Sequence, residues 1–448
     1  MEYLIGLDIG TSSVKGVLMT TEGRIAYSTK AVFTYYTSDD GSVEMNPEEY
    51  LSACFRAIKD LVNAAKGVHI KGVCASSASG NLILLDKNYK PITNIISWQD
   101  GRVQEEAKEL LREVDKDTLY QQIGWGFDEK TFPLAQLCYL KKHKTELLED
   151  CGMVTMSTEY LYYTLTGKWG ISTSAATPFY LADQVKGEYI DSVLGILGIS
   201  EDKLPPIMKC GTIIGHVCEE MEDRSGIPSG TPIILGSFDH PSAARGVGVL
   251  EEGDMLLSCG ASWVVFLPIV DRNKGIAAKL LVDPFLAPEG SYGVMSSIAS
   301  LSGRLQLYTN RYIDKSNKAF QILSELARQS EPGANGLSIN PLEELDDNRM
   351  NAYDKKDIAR AIMEGTVKLL RQRLNDLAEV GIKAQRAVMV GGPSEDPFWI
   401  QLIKEMCEIP VKVVHGAFAG AVGAAVIAGI GIGEYENEEA AHVRFDKA

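Results

Sequence analysis

A carboxylate that closes an apolar strand and is followed at once by glycine and small hydroxyl residues can hold an anion and a metal ion together. Tyr3 to Leu7 read as such a strand, Asp8 ends it, Gly10-Thr11-Ser12 make a turn and Val14 to Met19 read as a second strand. Backbone N–H groups at a hairpin turn of this kind can surround an anion, and Asp8 can hold a hydrated divalent cation against it. Lys15, on the second strand, either reaches the anion or faces solvent. A second carboxylate of interest is Asp239, delivered just beyond the apolar run Pro232 to Leu235 by the small turn Gly236-Ser237. Loops at strand ends are common seats of catalytic groups because a rigid scaffold holds them. Asp254 to Pro268 repeat the opening pattern: Gly260-Ala261-Ser262 fall on Gly10-Thr11-Ser12, and Ser258 falls on Asp8.

The elements that carry these residues follow from patterning. Strands are expected at 3–9, 14–20, 23–32, 69–77 and 81–86, and near 233–237. An amphipathic helix is expected from Pro47 to Ala65, with Asn46 and Pro47 as its start signals. Further helices read at 102–113, 133–144 and 158–165, and a long one at 355–379 leads to a strand at 387–390 and the turn Gly391-Gly392-Pro393. The repeated hairpin points to an internal duplication, each half a mixed sheet flanked by helices. A boundary near Gly246 to Glu252 divides the chain into residues 1–246 and 247–448. No low-complexity linker separates the halves, so a shared ligand cleft and a hinge are expected.

The residues around these motifs carry a resemblance. The opening hairpin resembles the first phosphate loop of the actin, hexokinase and hsp70 ATPase superfamily. The segment Gly236-Ser237-Phe238-Asp239 is similar to the Gly-x-x-Asp of the FGGY carbohydrate kinases. Gly391-Gly392-Pro393-Ser394-Glu395-Asp396-Pro397-Phe398-Trp399-Ile400-Gln401 resembles that family's C-terminal signature. Ser97-Trp98-Gln99-Asp100-Gly101-Arg102 looks like its Trp-x-Asp-x-Arg sugar segment, and Thr158-Glu159-Tyr160-Leu161 through Gly167 like its Asp-Tyr-Leu element. The resemblance covers nearly the whole chain, with the motifs in family order.

It implies an α/β fold of two ribonuclease H-like (actin-like ATPase) domains, and ATP-dependent phosphorylation of a sugar hydroxyl. Asp239 would be the catalytic base, and Asp8 with Asp239 would organise Mg²⁺. Gly10, Thr11, Ser12, Lys15, Gly260 and Ala261 would cradle phosphates, while Gly391, Gly392 and Asp396 would lie near the adenosine. Trp399 reads as a core anchor. Asn81, Trp98, Asp100, Arg102, Asp239 and His240 would line the sugar side, although Asp100 and Arg102 could equally pair with each other. Three departures stand out. Ile171-Ser172-Thr173-Ser174 lacks the acid of the family's Thr-Asp-x-Ser, Ala261 replaces a hydroxyl residue, and Asn81 stands where xylulokinases commonly have His.

Composition bounds the partners. At 448 residues with 45% hydrophobic and 23% charged residues, two globular domains are expected. A net charge of -16 argues against nucleic acid but not against a nucleotide held by N–H groups and a metal ion. Eight scattered cysteines without a Cys-x-x-Cys pair read as reduced thiols, and the N-terminus shows no signal-peptide pattern, so a cytoplasmic location is expected. The apolar stretch Ala417 to Ile432 is too short for a membrane span and reads as a buried helix. His69, His143, His216, His415 and His442 read as surface or structural residues. The acceptor is expected to be a ketose such as xylulose, with glycerol, another polyol or a sugar acid as alternatives. A nucleotide-dependent sugar sensor of the same fold is the alternative outside catalysis. Family analogy also admits a homodimer.

Overall fold

The opening hairpin forms where its pattern requires: β1 (Glu2–Ile9) pairs antiparallel with β2 (Ser13–Thr20), and Gly10 N donates to Ser13 O at 3.0 Å to close the turn. The computed structural model describes residues 2–65, 67, 69–78, 80–102, 104–112, 114–126, 132–414 and 416–447; Ser79, in the loop before Asn81, and His415 lie outside them. β2 continues antiparallel into β3 (Ile25–Val32). The helix α1 (Pro47–Ala65) starts as its cap signals predict, with Asn46 Oδ1 accepting from Glu48 N at 2.9 Å and Glu49 N at 3.2 Å. It leads to β4 (His69–Ser77), which lies parallel to β1. After α2 (Ser157–Thr166) come β5 (Ile213–His216) and β6 (Pro232–Phe238), then α3 (Asp239–Gly246). The sheet order is β5-β6-β4-β1-β2-β3, a mixed sheet.

The second half repeats the plan. β7 (Asp254–Cys259) and β8 (Trp263–Ile269) form the second hairpin, and β9 (Tyr292–Ile298) pairs antiparallel with β8. α4 (Leu301–Tyr312), α5 (Ala319–Ala327) and α6 (Lys355–Glu379) follow. β10 (Arg386–Gly391) lies parallel to β7 as β4 does to β1; α7 (Pro397–Cys407) and the parallel strand β11 (Val411–Val413) complete the pattern. The order β9-β8-β7-β10-β11 reproduces β3-β2-β1-β4-β6. The chain ends with α8 (Ala419–Gly431) and α9 (Glu438–Phe445).

The compact units differ from the division drawn at residue 246. The first comprises Met1–Leu250, Leu281–Pro288 and Phe418–Ala448; the second comprises Glu251–Leu280 and Glu289–Ala417. The reason lies in side-chain alternation along the strands. Ile5, Leu7 and Ile9 turn toward Tyr50, Leu51, Cys54 and Ile58 of α1. On the opposite face, Leu4, Val17, Met19 and Ile234 need a second cover, and Ala421, Ala424, Ala425 and Val426 of α8 supply it. That helix is apolar all round, as a helix buried on every side must be. No helix among the described residues is long and apolar enough to cross a membrane.

Candidate active site

Asp8 and Asp239 come together in the first unit at one end of its sheet, beyond the C-terminal ends of the parallel strands β1 and β6. Asp8 lies at the end of β1, with Lys15 on β2 and Ser76 on β4 as its register neighbours. Directly opposite residues of an antiparallel pair share a face, so Lys15 stands beside Asp8. Against the carboxylate lies Gly420 of α8. A Cβ there would sit 2.7 Å from Asp8 Cγ and 2.9 Å from Oδ2, so only glycine leaves this carboxylate room. The Ser242 hydroxyl donates to the Gly420 carbonyl at 2.9 Å and fixes that turn of helix, while the Ser76 hydroxyl is shared between Leu7 O at 3.2 Å and Gly420 O at 3.4 Å.

The end of β6 is built to release Asp239 from the sheet. Tyr162 Oη sits between β4 and β6: it donates to Ala75 O at 2.7 Å and accepts from Gly236 N at 3.0 Å. The β6–β4 register shifts between Leu235 and Phe238. Beyond the shift, Phe238 N donates to Ser174 Oγ at 3.2 Å, and Asp239 begins α3. Its Oδ1 accepts from His240 N at 2.7 Å.

Electrostatics couple the two acids. Burial, and next the charge of Asp239, push the Asp8 carboxyl up to about 7 against the opposing pull of Lys15. Burial also raises Asp239, opposed by His240. Two such carboxylates fit a hard divalent cation, whose charge would relieve both. Among the described residues no third acidic, histidine or cysteine ligand joins them, so a cation held here would take its other ligands from waters and phosphate oxygens. Thr11 is half-buried and Ser12 exposed at the hairpin tip.

An aromatic wall adjoins Asp239. The Phe238 ring packs 5.4 Å from Trp125 and 5.7 Å from His240; Trp125 meets Phe132 at 5.5 Å and Tyr180 at 5.7 Å, and Phe132 meets Trp98 at 6.1 Å. Sequence reasoning singled out Trp98 and His240 but missed Trp125, Phe132 and Tyr180, which belong to no motif. Buried Trp125 Nε1 has no partner among the described residues, which leaves an unpaired donor in the wall.

The other residues expected on the sugar side have partners within the chain. Asn81, buried, donates to Ala78 O at 3.2 Å and accepts from Trp98 N at 3.2 Å. Asp100 accepts four hydrogen bonds: from Val43 N at 3.0 Å, Arg102 N at 3.1 Å, Arg102 Nε at 2.9 Å and Arg102 Nη2 at 2.7 Å. Its lone pairs are then filled. Arg102 also binds Glu44 at 2.7 Å and lies over the Tyr139 ring. The pair therefore acts on the 97–102 loop that carries Trp98.

The second unit holds a cavity of about 840 Å³ lined by Gly260, Ser302, Leu305, Phe320, Ser324, Arg328, Gly392, Asp396 and others. The Gly260 turn is braced by α4: Ser302 Oγ donates to Gly260 O at 2.5 Å and Ser302 N to Ala261 O at 3.1 Å. Gly391, at φ 99°, needs glycine twice over, since a Cβ would also fall 2.4 Å from Cys259 O. Asp396 Oδ1 caps α7 through Phe398 N at 2.9 Å and accepts from Arg328 Nη2 at 2.7 Å. Trp399 is buried against Trp263, as a core anchor should be. The contributions of α4 and α5, Ser324 and Arg328 among them, carried no motif; amphipathic patterning was their only signal.

The FGGY family of carbohydrate kinases matches this chain through its N-terminal domain over residues 3–246 and its C-terminal domain over residues 302–432. The chain belongs to that family. A kinase of this family takes ATP as phosphoryl donor. Among curated relatives, the chain is 24% identical to the xylulose kinase of Bacillus subtilis, spanning 98% of this chain and 90% of that protein. It is 27% identical to the L-xylulose/3-keto-L-gulonate kinase of Escherichia coli K12, spanning 97% and 89%. The gluconate kinase structure from Lactobacillus acidophilus superposes with a TM-score of 0.89 at 22% identity, covering 99% of this chain and 92% of that one. Such neighbours share the fold of two mixed sheets flanked by helices.

Proposed function

We propose that this kinase transfers the γ-phosphoryl group of ATP to a hydroxyl of a ketose such as xylulose, with Asp239 as general base and Mg²⁺ held by Asp8 and Asp239. The observation that carries this reading is the pair of half-buried carboxylates, both raised by desolvation and Asp8 also by the charge of Asp239, beside an aromatic wall. In the reaction the acceptor O–H bond breaks as its oxygen bonds the γ-phosphorus, the bond to the β-phosphate oxygen breaks, and the proton passes to Asp239. The His240 N–H holds Oδ1, which orients the carboxylate and leaves Oδ2 for that proton. A base raised from the usual carboxylate range accepts a proton more readily, and a positioned base contributes about 10²–10⁴-fold. The cation would neutralise charge on the phosphates.

Hairpin N–H groups around Gly10, Thr11 and Ser12, with Lys15 beside Asp8, suit phosphate oxygens. The cavity at Gly392 and Asp396 suits the adenosine, with the second hairpin turn at Gly260 and Ala261 toward its phosphates. The aromatic wall suits the C–H face of a sugar and excludes water. The ketose reading rests on relatives named as xylulose kinases, and the polyol and aldonate alternatives remain outcomes of the test. A cytoplasmic enzyme is in keeping with such chemistry.

A coupled ADP-release assay across ketoses, polyols and aldonates, ranked by kcat/KM, tests the acceptor. Asp239→Asn should keep nucleotide binding while losing about 10²–10⁴-fold in turnover. Wild-type turnover in that variant would sink the assignment of the base. ADP release unaffected by any acceptor would favour the sensor reading, against which a retained Asp239 argues.

A further inference from the structure

The short segment Leu281–Pro288 belongs to the first unit although the chain on either side of it belongs to the second. Two wholly buried side chains link it to the catalytic strand end. Asp283 Oδ2 accepts from Ser174 Oγ at 2.8 Å, and Ser174 Oγ accepts from Phe238 N at 3.2 Å. A backbone N–H can only donate, so Ser174 Oγ accepts from Phe238, and its single hydroxyl proton is free to go to the ionised Asp283 carboxylate. Phe238 immediately precedes Asp239, at the point where the β6–β4 register has shifted.

A second tie reaches the same place. Arg245, buried on α3, donates to the Phe285 carbonyl, reaches Ser237 Oγ at 3.4 Å and lies 4.5 Å from the Phe285 ring centroid. Residues 283–285 are thus bonded toward both residues that precede Asp239. They also steady the aromatic wall. Val282 N donates to Gly124 O at 2.7 Å, and Gln184 Nε2 donates to Val282 O at 3.1 Å and Ile123 O at 2.6 Å, one residue from Gly124 and two from Trp125.

We propose that Asp283 and Ser174 are positioning residues for phosphoryl transfer: Asp283 orients the Ser174 hydroxyl to receive Phe238 N–H, and that bond sets where Asp239 presents its carboxylate. The proposal rests on Asp239 being the general base. Ser174 falls in the segment where the family pattern carries an acid two residues earlier. Here that position is Ser172, whose Oγ caps the following helical turn through Ala175 N at 3.1 Å. Asp283, more than a hundred residues on, supplies the carboxylate. Its Oδ1 has no partner among the described residues, so the acid is held through Ser174 with a polar atom unsatisfied, a cost that favours a functional reason for keeping it.

The test compares Ser174→Ala, Asp283→Ala and Asp283→Asn in the full chain, well below their thermal midpoints. Two readouts are used: steady-state ADP release with Mg-ATP and the best acceptor of the screen, and amide hydrogen exchange over residues 236–240. Ser174→Ala and Asp283→Ala should lower kcat roughly 10–100-fold with the KM for ATP nearly unchanged, as expected for a displaced reacting group. Exchange at Phe238 should quicken by about tenfold, the loss of roughly one hydrogen bond. Asp283→Asn keeps an acceptor for the Ser174 hydroxyl and should restore most of both. In the Asp239→Asn background, Ser174→Ala should cost nothing further, because its effect passes through that carboxylate. Wild-type kcat in Ser174→Ala, or unchanged exchange, overturns the proposal. So does failure of both alanine variants to fold, since a brace of the fold alone would behave in that way. If exchange quickens while Asp239→Asn keeps full turnover, the base assignment fails and the brace stands. If no acceptor is turned over, the exchange comparison decides.

Discussion

Gly420→Ala isolates the fit between α8 and Asp8, the carboxylate proposed to organise Mg²⁺. The added Cβ would lie 2.7 Å from Asp8 Cγ, 2.9 Å from Oδ2 and 3.1 Å from Oδ1. Non-bonded carbons settle at roughly 3.5–4.0 Å, so carboxylate or helix must retreat by nearly 1 Å. Neither moves freely. The Asp8 backbone is held by ladders to β2 and β4, and the Gly420 carbonyl is anchored by the Ser242 hydroxyl. Alanine gains about 1 kcal/mol of helix propensity over glycine, which offsets part of the roughly 1–3 kcal/mol of overpacking strain. The fold should therefore persist with a thermal midpoint near that of the wild type. A displacement of about 1 Å in a reacting constellation costs on the order of 10²-fold. We expect kcat to fall about 10–100-fold and the Mg²⁺ needed for half-maximal rate to rise, with the KM for ATP little changed. Gly429→Ala is the control on the same helix: its Cβ would meet the Tyr435 ring at 2.2 Å, away from Asp8, and should lower stability without altering the Mg²⁺ response. The assay is coupled ADP release across a Mg²⁺ titration at saturating ATP. A folded Gly420→Ala chain with wild-type kcat and Mg²⁺ dependence would refute this account of Asp8.

Three further predictions follow from named groups. Glu159 is buried with Oε2 unpartnered among the described residues, and burial pushes its carboxyl up to about 7 from 4.5. The native state thus binds this proton more tightly than the unfolded state, and stability present below pH 4.5 is lost as pH rises through about 7. Glu159→Gln should therefore gain up to about 3 kcal/mol over wild type between pH 5 and 8, and a constant difference in denaturation midpoint would contradict this. Asp8, also raised to about 7, must lose its proton to hold a cation, so apparent Mg²⁺ affinity should increase as pH rises from 6 to 8 with protons released on binding; a flat calorimetric profile would refute it. Arg328→Ala frees Asp396 from a half-exposed ion pair. The KM for ATP should change no more than about fivefold with kcat intact, and a fall in kcat at constant KM would place Arg328 elsewhere.

What could be read from the sequence was local. The two hairpins, their turns and the strand-end acids depend on runs of a few residues with period two, and a hairpin register is fixed by its own turn. Asp8, Asp239, Gly260 and Gly391 were legible for that reason. The course of α8 was not: Ala419–Gly431 is apolar on every face, so its pattern identifies a buried helix without saying which sheet buries it. The return of the chain to the first unit, and with it the boundary, depends on unfilled positions at Leu4, Val17 and Ile234, far away in sequence. Asp100 and Arg102 posed a different difficulty. Residue types two apart are the same for a ligand pair and for an ion pair, and only the neighbouring Val43 and Glu44 complete the second arrangement. The joining of Trp125 to Tyr180 and Phe238, and of Ser174 to Asp283, needed contacts between segments more than forty residues apart, which no local pattern carries.

The duplication explains why chemistry divides between the units as it does. Both contain an antiparallel hairpin followed by a parallel strand, so both offer a turn of N–H groups at one sheet end. In the first unit the hairpin strand ends in Asp8 and a further parallel strand ends at Asp239, which places two acids together. In the second unit the position of Asp8 is Ser258, and the parallel strand ends in Gly391-Gly392. At those two positions glycine and serine leave the backbone open to a ligand, whereas a carboxylate would add negative charge at the turn. In the proposed reading, the strand-end acids lie where a cation and an acceptor proton would use them. The altered second turn, with Ala261 in place of a hydroxyl residue, loses little by this logic: its carbonyl accepts from Ser302 N and the Gly260 carbonyl from Ser302 Oγ, so α4 sets the turn's shape and the turn's N–H groups stay available to an anion.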